Sequence, residues 1–141
     1  MNLQTFLERM EGRKSTIYYV DGVPHIGIGH NINEPISERS IDEIYLDDVK
    51  RVYDDLSHVF SRGWYWAIGI NRENALVSIM FTLGLPRFMG FEKMIDAIKA
   101  HDWPLAAKEL LDSDRGRELP ERSAVEAYML EHNAMPEGWE E

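Results

Sequence analysis

Apolar residues recur at two different spacings along this chain, and each spacing predicts a different element. In the first ten residues they recur every three or four positions, which is the period of an amphipathic helix. Asn2 has the side chain that a helix N-cap requires, and Gly12 can end the helix. Glu11 is therefore predicted at the C-terminal end of this helix, where the negative end of the helix dipole disfavours a carboxylate charge.

Apolar and polar residues alternate over residues 16–20 and 23–28, as they do in strands with one covered face. The Asp21-Gly22 pair between them is a strong signal for a two-residue hairpin turn, because such turns favour residues that tolerate a positive φ. The predicted hairpin has a defined cross-strand register. It places Val20 opposite Val23, Tyr18 opposite His25, and Ile17 opposite Ile26.

Helical spacing returns after the hairpin and continues almost to the end of the chain. Ser37 can cap a long amphipathic helix that continues to about Phe60, and the aromatic run at residues 63–69 interrupts the pattern. A helix of this length after a small sheet can connect two lobes. Further helices, each bounded by Pro, Gly, Asn or Asp, are predicted at residues 71–83, 91–100, 104–111 and 120–132.

The composition narrows the class of protein without naming an activity. A chain of 141 residues with 44% apolar residues suits one compact domain or two small lobes. It contains no Cys, which excludes thiol catalysis, disulfides and Cys-ligated zinc, and no metal or cofactor is predicted. A formal net charge of -10 argues against nucleic acid as a partner, because phosphate contacts need Lys and Arg.

The N-terminal residues have neither the basic region nor the long apolar region of a secretory signal, and the apolar runs are shorter than a membrane span. We therefore expect no insertion into a membrane. The protein is expected to start in the cytoplasm and to depend on another protein for any passage out of it.

A Glu at a helix end, followed by a hairpin that carries a second candidate group, is the arrangement that glycoside hydrolysis uses. One protonated carboxyl group donates a proton to the leaving oxygen, and a group on the opposite side activates water or traps the sugar. The spacing alone does not name an activity, since a Glu before a helix-ending Gly and an Asp-Gly turn are both common.

Motifs along nearly the whole chain resemble those of the phage-type lysozymes of the T-even coliphages. The N-terminal match comprises Glu11-Gly12, Ile17-Tyr18, Gly22 and Ile26-Gly27-Ile28-Gly29-His30. The later motifs fall in the order, and close to the spacing, of that family's helical lobe. They are Met80-Phe81-Thr82-Leu83-Gly84, Gly90-Phe91, Trp103 with Ala106-Ala107, Ser113, and Pro120 with Arg122.

The resemblance implies a lysozyme-like α+β fold in a single domain, residues 1–141. The expected parts are a β-hairpin lobe at residues 12–36, a connecting helix at 37–62, and a helical lobe at 63–141 on which the helix of residues 1–11 packs. The implied reaction is cleavage of the β-1,4 bond between N-acetylmuramic acid and N-acetylglucosamine in peptidoglycan, with the glycan strand lying between the lobes.

The resemblance also implies a place for the protein in phage infection. We expect a monomeric endolysin or virion lysozyme that takes part in lysis of the host cell. An endolysin of this kind would stay in the host cytoplasm until a holin gives it access to the periplasm or cell wall.

Residues at matching positions receive roles from the resemblance. Glu11 matches the general acid, and Arg122 matches the arginine that pairs with it. His30 and Asp48 match a histidine and an aspartate that form a stabilising ion pair. The expected substrate contacts are Tyr18, Phe81, Thr82 and Glu109.

The second catalytic group departs from the family pattern, because this hairpin is one residue shorter. Counted from Glu11, Val20 occupies the family's aspartate position. Counted back from Gly22, Asp21 instead replaces an acid of the turn. His25 stands at the family's threonine position, where a neutral imidazole can accept a proton or attack the sugar. Three hypotheses stay open: Glu11 acts with Asp21, Glu11 acts with His25, or the site is catalytically weakened and only binds the cell wall.

Two further differences from the family pattern concern substrate binding. Arg115 stands where the longer relatives have a tryptophan, and the chain is acidic where they are typically basic. We expect the contacts with the substrate to differ accordingly.

Overall fold

The computed structural model describes residues 1–139 and divides the chain into two compact units, Met1–Glu43 and Ile44–Glu141. Residues 140 and 141, which the sequence assigns to the helical lobe, lie outside the described residues. The boundary between the units falls inside a long helix. The predicted division into lobes, with residues 1–11 packed on the helical lobe, stays a prediction.

The first unit begins with helix α1, Leu3–Glu11, whose two ends are those predicted from the sequence. The side chain of Asn2 accepts a hydrogen bond from the Thr5 backbone N–H at 2.9 Å. At the other end Gly12 has a φ of 85°, and its N–H donates to the Glu8 carbonyl at 2.8 Å. Glu11 is therefore the last helical residue, as expected.

A three-stranded antiparallel sheet follows, with β1 at Lys14–Val20, β2 at Val23–Gly27 and β3 at His30–Asn31, in the order β1-β2-β3. Asp21 and Gly22 both have a positive φ, 50° and 79°, as a tight hairpin turn of the type I′ class requires. The sequence predicted this turn but not the two-residue strand β3.

The register of the hairpin is confirmed near the turn and differs away from it. Val20 pairs with Val23, and Tyr18 pairs with His25. The predicted pairing of Ile17 with Ile26 is wrong, because the register shifts between Lys14 and Tyr18 so that Lys14 lies opposite Gly27. Such a shift is typical of a β-bulge, which adds residues to one strand.

The other regular elements of the described chain are helices. Ser37 caps the long helix α2, Glu38–Phe60, as predicted, and its Oγ accepts from the Ser40 N–H at 3.1 Å. A short 3-10 helix, Trp64–Ala67, lies in the aromatic run. The remaining helices are α3 Ile70–Leu83, α4 Leu85–Phe88, α5 Glu92–Lys99, α6 Trp103–Leu111, α7 Asp114–Glu118 and α8 Pro120–His132.

Four of these helices, α3, α5, α6 and α8, were predicted within one residue at each end, whereas the short helices α4 and α7 were not. The small antiparallel sheet and the mainly helical remainder confirm the α+β class. Among the described residues, no helix combines the length and the apolar character that crossing a membrane would require.

The hydrophobic core lies entirely in the second unit. It begins at Val52 and includes the fully buried side chains of Leu76, Phe88, Leu110 and Leu130. None of the first 43 residues is buried. The first unit is therefore held by helix caps, a tight turn and strand pairing rather than by a core of its own.

Candidate active site

Glu11 is exposed at the end of α1, and its carboxyl group lies directly against the backbone of Gly29. A methyl group added to Gly29 would come 3.1 Å from Glu11 Cγ and 3.2 Å from both Cδ and Oε2. Gly29 also has a φ of 73°, a conformation that other residues rarely adopt. Any larger residue at position 29 would therefore press against the Glu11 carboxyl group in its present position.

Tyr18, a predicted substrate contact, fixes Gly29 from another side. Its hydroxyl oxygen accepts a hydrogen bond from the Gly29 backbone N–H at 3.0 Å. The ammonium group of Lys14 stands 4.7 Å from the centre of the Tyr18 ring, within the range of a cation–π contact. Gly29 thus joins the acid at the end of α1 to a side chain of β1.

His25 lies across from Tyr18 on β2, and the two ring centroids are 5.7 Å apart. The His25 Nδ1 atom is 2.8 Å from the Val23 carbonyl oxygen. A carbonyl oxygen can only accept a hydrogen bond, so this contact assigns the proton to Nδ1. In the neutral ring Nε2 then keeps its lone pair, which can accept a proton or attack an electrophile.

Asp21, the other candidate for the second group, occupies the hairpin turn and is exposed. The cross-strand pairs Val20–Val23 and Tyr19–Pro24 lie between this turn and the Tyr18–His25 pair. Asp21 is therefore two residue pairs along the ladder from the imidazole.

The ion pair predicted between His30 and Asp48 stays a prediction. His30 is half-buried on β3, where it pairs with Ile26. Asp48 lies on α2 and accepts a hydrogen bond from Arg51 Nη2 at 2.9 Å, one helical turn away. Among residues 1–139 no group of three or more His, Asp or Glu side chains is arranged to hold a metal ion.

Phe81, another predicted substrate contact, is exposed on α3 and lines an aromatic groove of about 380 Å³ in the second unit. We define the aromatic groove by the residues that line it. They are Tyr45, Val49, Tyr53, Asn74, Val77, Ser78, Phe81 and Arg122.

One wall of the aromatic groove is fixed by a hydrogen bond between two helices. The Tyr53 hydroxyl donates to Glu73 Oε1 at 2.5 Å, which joins α2 to α3. Burial, together with this hydrogen bond, raises the pKa of Tyr53 above its ordinary value. The phenol therefore keeps its proton, and its ring is held in place.

Thr82 and Glu109, the remaining predicted contacts, line two other depressions of the second unit. Thr82 borders a cavity of about 450 Å³ together with Phe91 and Arg115. Glu109 lies on α6 and borders a shallower depression of about 300 Å³ with Lys93. The structure therefore does not bring Glu109 into the aromatic groove.

A buried ion pair that the sequence did not predict lies beneath these surfaces. Arg115 on α7 and Glu126 on α8 form a bidentate pair, with Nε–Oε1 at 3.1 Å and Nη2–Oε2 at 2.9 Å. Both side chains are almost fully buried, at 3% and 2% exposure. The only signal in the sequence was the arginine at a position where the relatives have tryptophan.

The predicted site residue Arg122 is bound to this pair. Its Nε lies 3.5 Å from Glu126 Oε2, and its Nη2 donates to the Ser78 carbonyl and hydroxyl oxygens at 3.2 and 3.0 Å. The predicted pairing of Arg122 with Glu11 stays a prediction.

The first unit thus brings together Glu11, Tyr18 and His25 around Gly29, and the second unit joins Thr82 and Arg122 through a buried ion pair. A small antiparallel sheet followed by a mainly helical second unit is the arrangement of a lysozyme-like α+β fold.

Comparison with known families agrees with this class. Residues 8–124 match the family model described as Phage lysozyme, which is well over half of the chain. The chain therefore belongs to the phage lysozyme family, whose substrate is peptidoglycan. No curated protein matches it.

Proposed function

We propose that this phage lysozyme cleaves the β-1,4 bond between N-acetylmuramic acid and N-acetylglucosamine, with Glu11 as general acid and His25 as the second catalytic group. The observation that carries this proposal is the continuous contact from the Glu11 carboxyl group through Gly29 and Tyr18 to the His25 ring. All four residues lie within the first unit, so their arrangement is a property of that unit alone.

Glu11 has the two properties that a proton donor to a glycosidic oxygen needs. Its carboxyl group is exposed, so a substrate can reach it, and Gly29 limits the positions that it can occupy. A general acid must carry a proton when its substrate binds, and this is the role proposed for Glu11. In the proposed reaction Glu11 gives this proton to the leaving oxygen.

His25 is proposed as the partner because a hydrogen bond already fixes the tautomer of its ring. The Val23 carbonyl holds the hydrogen on Nδ1, which leaves Nε2 able to take a proton from an attacking water. His25 also sits on the central strand of the sheet, with Tyr18 on one side and Asn31 on the other. Its backbone is therefore held by pairing on both sides.

The configuration of the product at the anomeric carbon depends on whether the imidazole acts as a base or as a nucleophile. If Nε2 removes a proton from water, the water attacks from the face opposite to the leaving group and the product has inverted configuration. If Nε2 attacks the sugar itself, a covalent intermediate forms and water then gives retained configuration. We propose the first use, in which Nε2 takes up one proton and Glu11 releases one.

Asp21 is the alternative partner for Glu11. Its carboxylate is the residue type that most glycoside hydrolases use, and it lies in the same hairpin. It occupies an exposed turn, however, whereas His25 belongs to the paired part of the sheet. The contact with Tyr18 and the placed proton favour His25.

A second candidate function is binding of the cell wall without turnover. The observation in its favour is Val20, an apolar residue at the position where the family has its aspartate. In that case Tyr18, Phe81, Thr82 and Glu109 would serve binding only.

Substitution of Glu11 by Gln separates the two functions, because Gln keeps the shape of the side chain but has no proton to give. We expect the wild-type protein to release reducing sugars from purified sacculi and the Glu11→Gln variant to release almost none. Both proteins are expected to sediment with sacculi. If the wild-type protein binds sacculi and releases no sugar, the binding function is correct and the enzyme is not.

Within an infection, we propose that the protein acts as a monomer and reaches the wall from the host cytoplasm after a holin opens the membrane. This proposal is tested by expressing the protein with and without a holin in a host cell. Lysis only in the presence of the holin is the expected result.

A further inference from the structure

Arg62, Lys99 and His101 border a depression of about 270 Å³ beside the C-terminal end of α2. The whole chain has a net charge of -10, yet no acidic side chain is among the described residues that line this depression. Within residues 1–139, none of the three basic side chains forms a hydrogen bond or an ion pair. The depression therefore presents two permanent positive charges and an imidazole to whatever enters it.

Packed residues support these basic side chains. The lining residues Trp64, Ile68 and Ile98 are buried, at 8%, 6% and 4% exposure. The ring of His101 stacks on Trp103, with the centroids 5.3 Å apart and the planes 25° from parallel. The buried indole N–H of Trp64 has no acceptor within the described chain. The depression thus has a firm base and is rich in groups that donate hydrogen bonds.

An exposed tryptophan lies at the edge of the depression. Trp66 is 81% exposed, which is unusual for so large an apolar side chain. Its indole lies against Gly63, a lining residue, because a methyl group added there would be 3.0 Å from Trp66 Cδ1. The rings of Trp66 and Tyr65 are 5.1 Å apart. The exposed indole is therefore held beside the basic side chains.

Helix ends account for only part of this surface. Lys99 is the last residue of α5, and Arg62 follows the end of α2 by two residues. The negative ends of helix dipoles favour cations at such positions. That effect gives no reason for an exposed indole at the same place. Cations combined with an exposed aromatic side chain are instead typical of a surface that meets the headgroup region of a membrane.

We propose that Trp66 and this depression bind the surface of an anionic phospholipid membrane, with a lipid phosphate group in the depression and the indole among the headgroups. Tryptophan favours the interface between lipid and water, and Arg and Lys are attracted by anionic lipids. A small soluble anion would use the basic side chains but not the indole, so the indole favours a membrane. The binding is peripheral, and it does not depend on the proposed cleavage of peptidoglycan.

The net charge of the chain does not prevent this contact. At physiological ionic strength the field of a surface charge is screened over about 8 Å, so the groups nearest the lipid determine the electrostatic attraction. The depression lies wholly within the second unit. It is at the far end of α2 from Ile44, roughly 24 Å along the helix.

The test is flotation of the full-length protein with vesicles of phosphatidylcholine alone or of phosphatidylcholine mixed with phosphatidylglycerol. The variant Trp66→Ser removes the indole, and Arg62→Gln/Lys99→Gln removes the two permanent charges. All three side chains lie outside the hydrophobic core, so the changes are compatible with folding. Circular dichroism and the melting temperature establish that each variant is folded.

Two matched controls make the same chemical changes elsewhere on the second unit. Trp139→Ser removes another exposed tryptophan, which is 59% exposed. Arg117→Gln/Lys108→Gln removes one Arg and one Lys from α7 and α6, so the net charge changes by the same amount as in the Arg62 and Lys99 variant. Both controls are expected to bind vesicles like the wild type.

We expect the wild type to bind the anionic vesicles at least roughly tenfold more tightly than the neutral ones, because two positive charges face the lipid. Trp66→Ser is expected to weaken binding to anionic vesicles roughly tenfold. The double Gln variant is expected to weaken it roughly twentyfold, about fivefold for each charge. All variants are expected to hydrolyse sacculi like the wild type.

Three results would overturn the inference. The first is wild-type protein that binds anionic vesicles no better than neutral ones, a comparison that needs no variant. The second is a folded Trp66→Ser or double Gln variant that binds like its matched control. The third is calorimetric binding of free glycerol phosphate as tight as binding to the same concentration of lipid phosphate and unchanged by Trp66→Ser, which would define a site for a soluble anion.

Discussion

Gly29 and Glu11 are 18 positions apart in sequence, yet the Gly29 backbone lies so close to the Glu11 carboxyl group that a methyl group would not fit without displacing it. The nearest atom, Glu11 Cγ, would be 3.1 Å from the added carbon. A glycine within the Gly-rich end of the hairpin therefore has two separate roles. It adopts a positive φ, and it leaves room for the proposed acid.

Gly29→Ala is expected to lower activity more than it lowers stability. The positive φ costs an Ala roughly 1–2 kcal/mol of folding free energy. Displacement of the Glu11 carboxyl group is expected to reduce hydrolysis of sacculi by roughly a hundredfold, because small misplacements of a catalytic group are costly. Urea unfolding and the rate of reducing-sugar release measure the two effects.

Gly27→Ala is the matched control for this prediction. Gly27 also has a positive φ, 68°, but an added methyl group meets nothing within 4 Å. The two variants are expected to lose similar stability, and only the Gly29 variant is expected to lose activity beyond its folded fraction. Equal activities of the two folded variants would show that the contact with Glu11 does not position the acid.

Tyr18→Phe removes the hydroxyl oxygen that accepts the Gly29 N–H but keeps the ring beside His25. We expect a loss of about 1 kcal/mol in the free energy of unfolding, the usual contribution of one such hydrogen bond. The turnover number is expected to fall as well, because Gly29 supports Glu11. Tyr19→Phe, which alters a 70% exposed neighbour, is the control and is expected to change neither quantity.

Substitutions of His25 and Asp21 decide which of them is the second catalytic group. His25→Ala is expected to reduce turnover roughly 100-fold or more, the usual effect of losing a general base. Asp21→Asn is expected to remain active, because Asn tolerates the positive φ of the turn and removes only the charge. The reverse pattern would assign the role to Asp21.

The configuration of the first product tests the mechanism independently of the rates. NMR of the initial product from a soluble glycan fragment is expected to show inversion if His25 activates water. Retention, together with a covalent adduct on His25 detected by mass spectrometry, would show that the imidazole attacks the sugar instead. His25→Thr restores the family residue and is expected to keep an intact hairpin whatever its activity.

Local signals in the sequence were enough to predict most of the elements. The Asn2 cap, the Gly12 stop and the Asp21-Gly22 turn each depend on one or two adjacent residues, and all three are present in the structure. The Asp21-Gly22 turn also predicted the Tyr18–His25 pair, because a two-residue hairpin turn allows only one register for the strand residues beside the turn. The lysozyme resemblance then supplied the class of reaction.

Contacts between distant residues were not accessible in this way. The approach of Gly29 to Glu11 and the Arg115–Glu126 pair depend on how elements pack, and no local pattern specifies packing. The predicted Ile17–Ile26 pair assumed that the register next to the turn continues along the whole of β1. The bulge that brings Lys14 opposite Gly27 changes that register. Helices α4 and α7, at four and five residues, are too short for a hydrophobic period to appear.

The hydrogen bond between Tyr53 and Glu73 predicts a loss of stability at alkaline pH. The pKa of Tyr53 is raised in the folded protein, so the folded state keeps a proton that the unfolded state releases near pH 10. This contribution is complete below the unfolded pKa of about 10 and is lost progressively as the pH rises above it. The free energy of unfolding in urea, measured between pH 8 and pH 11, roughly spanning that value, is the appropriate quantity.

Tyr53→Phe provides the comparison for this prediction, because it keeps the ring that lines the aromatic groove and removes the titrating hydroxyl. The variant is expected to be less stable than the wild type at pH 8, since Glu73 loses its donor. The difference is expected to shrink as the pH approaches 11. Above about pH 10 the unfolded wild-type protein releases the Tyr53 proton, which lowers the free energy of unfolding of the wild type but not of the variant. A difference that stays constant over this range would mean that Tyr53 has the same pKa in the folded and unfolded states, and that its contact with Glu73 does not depend on the proton.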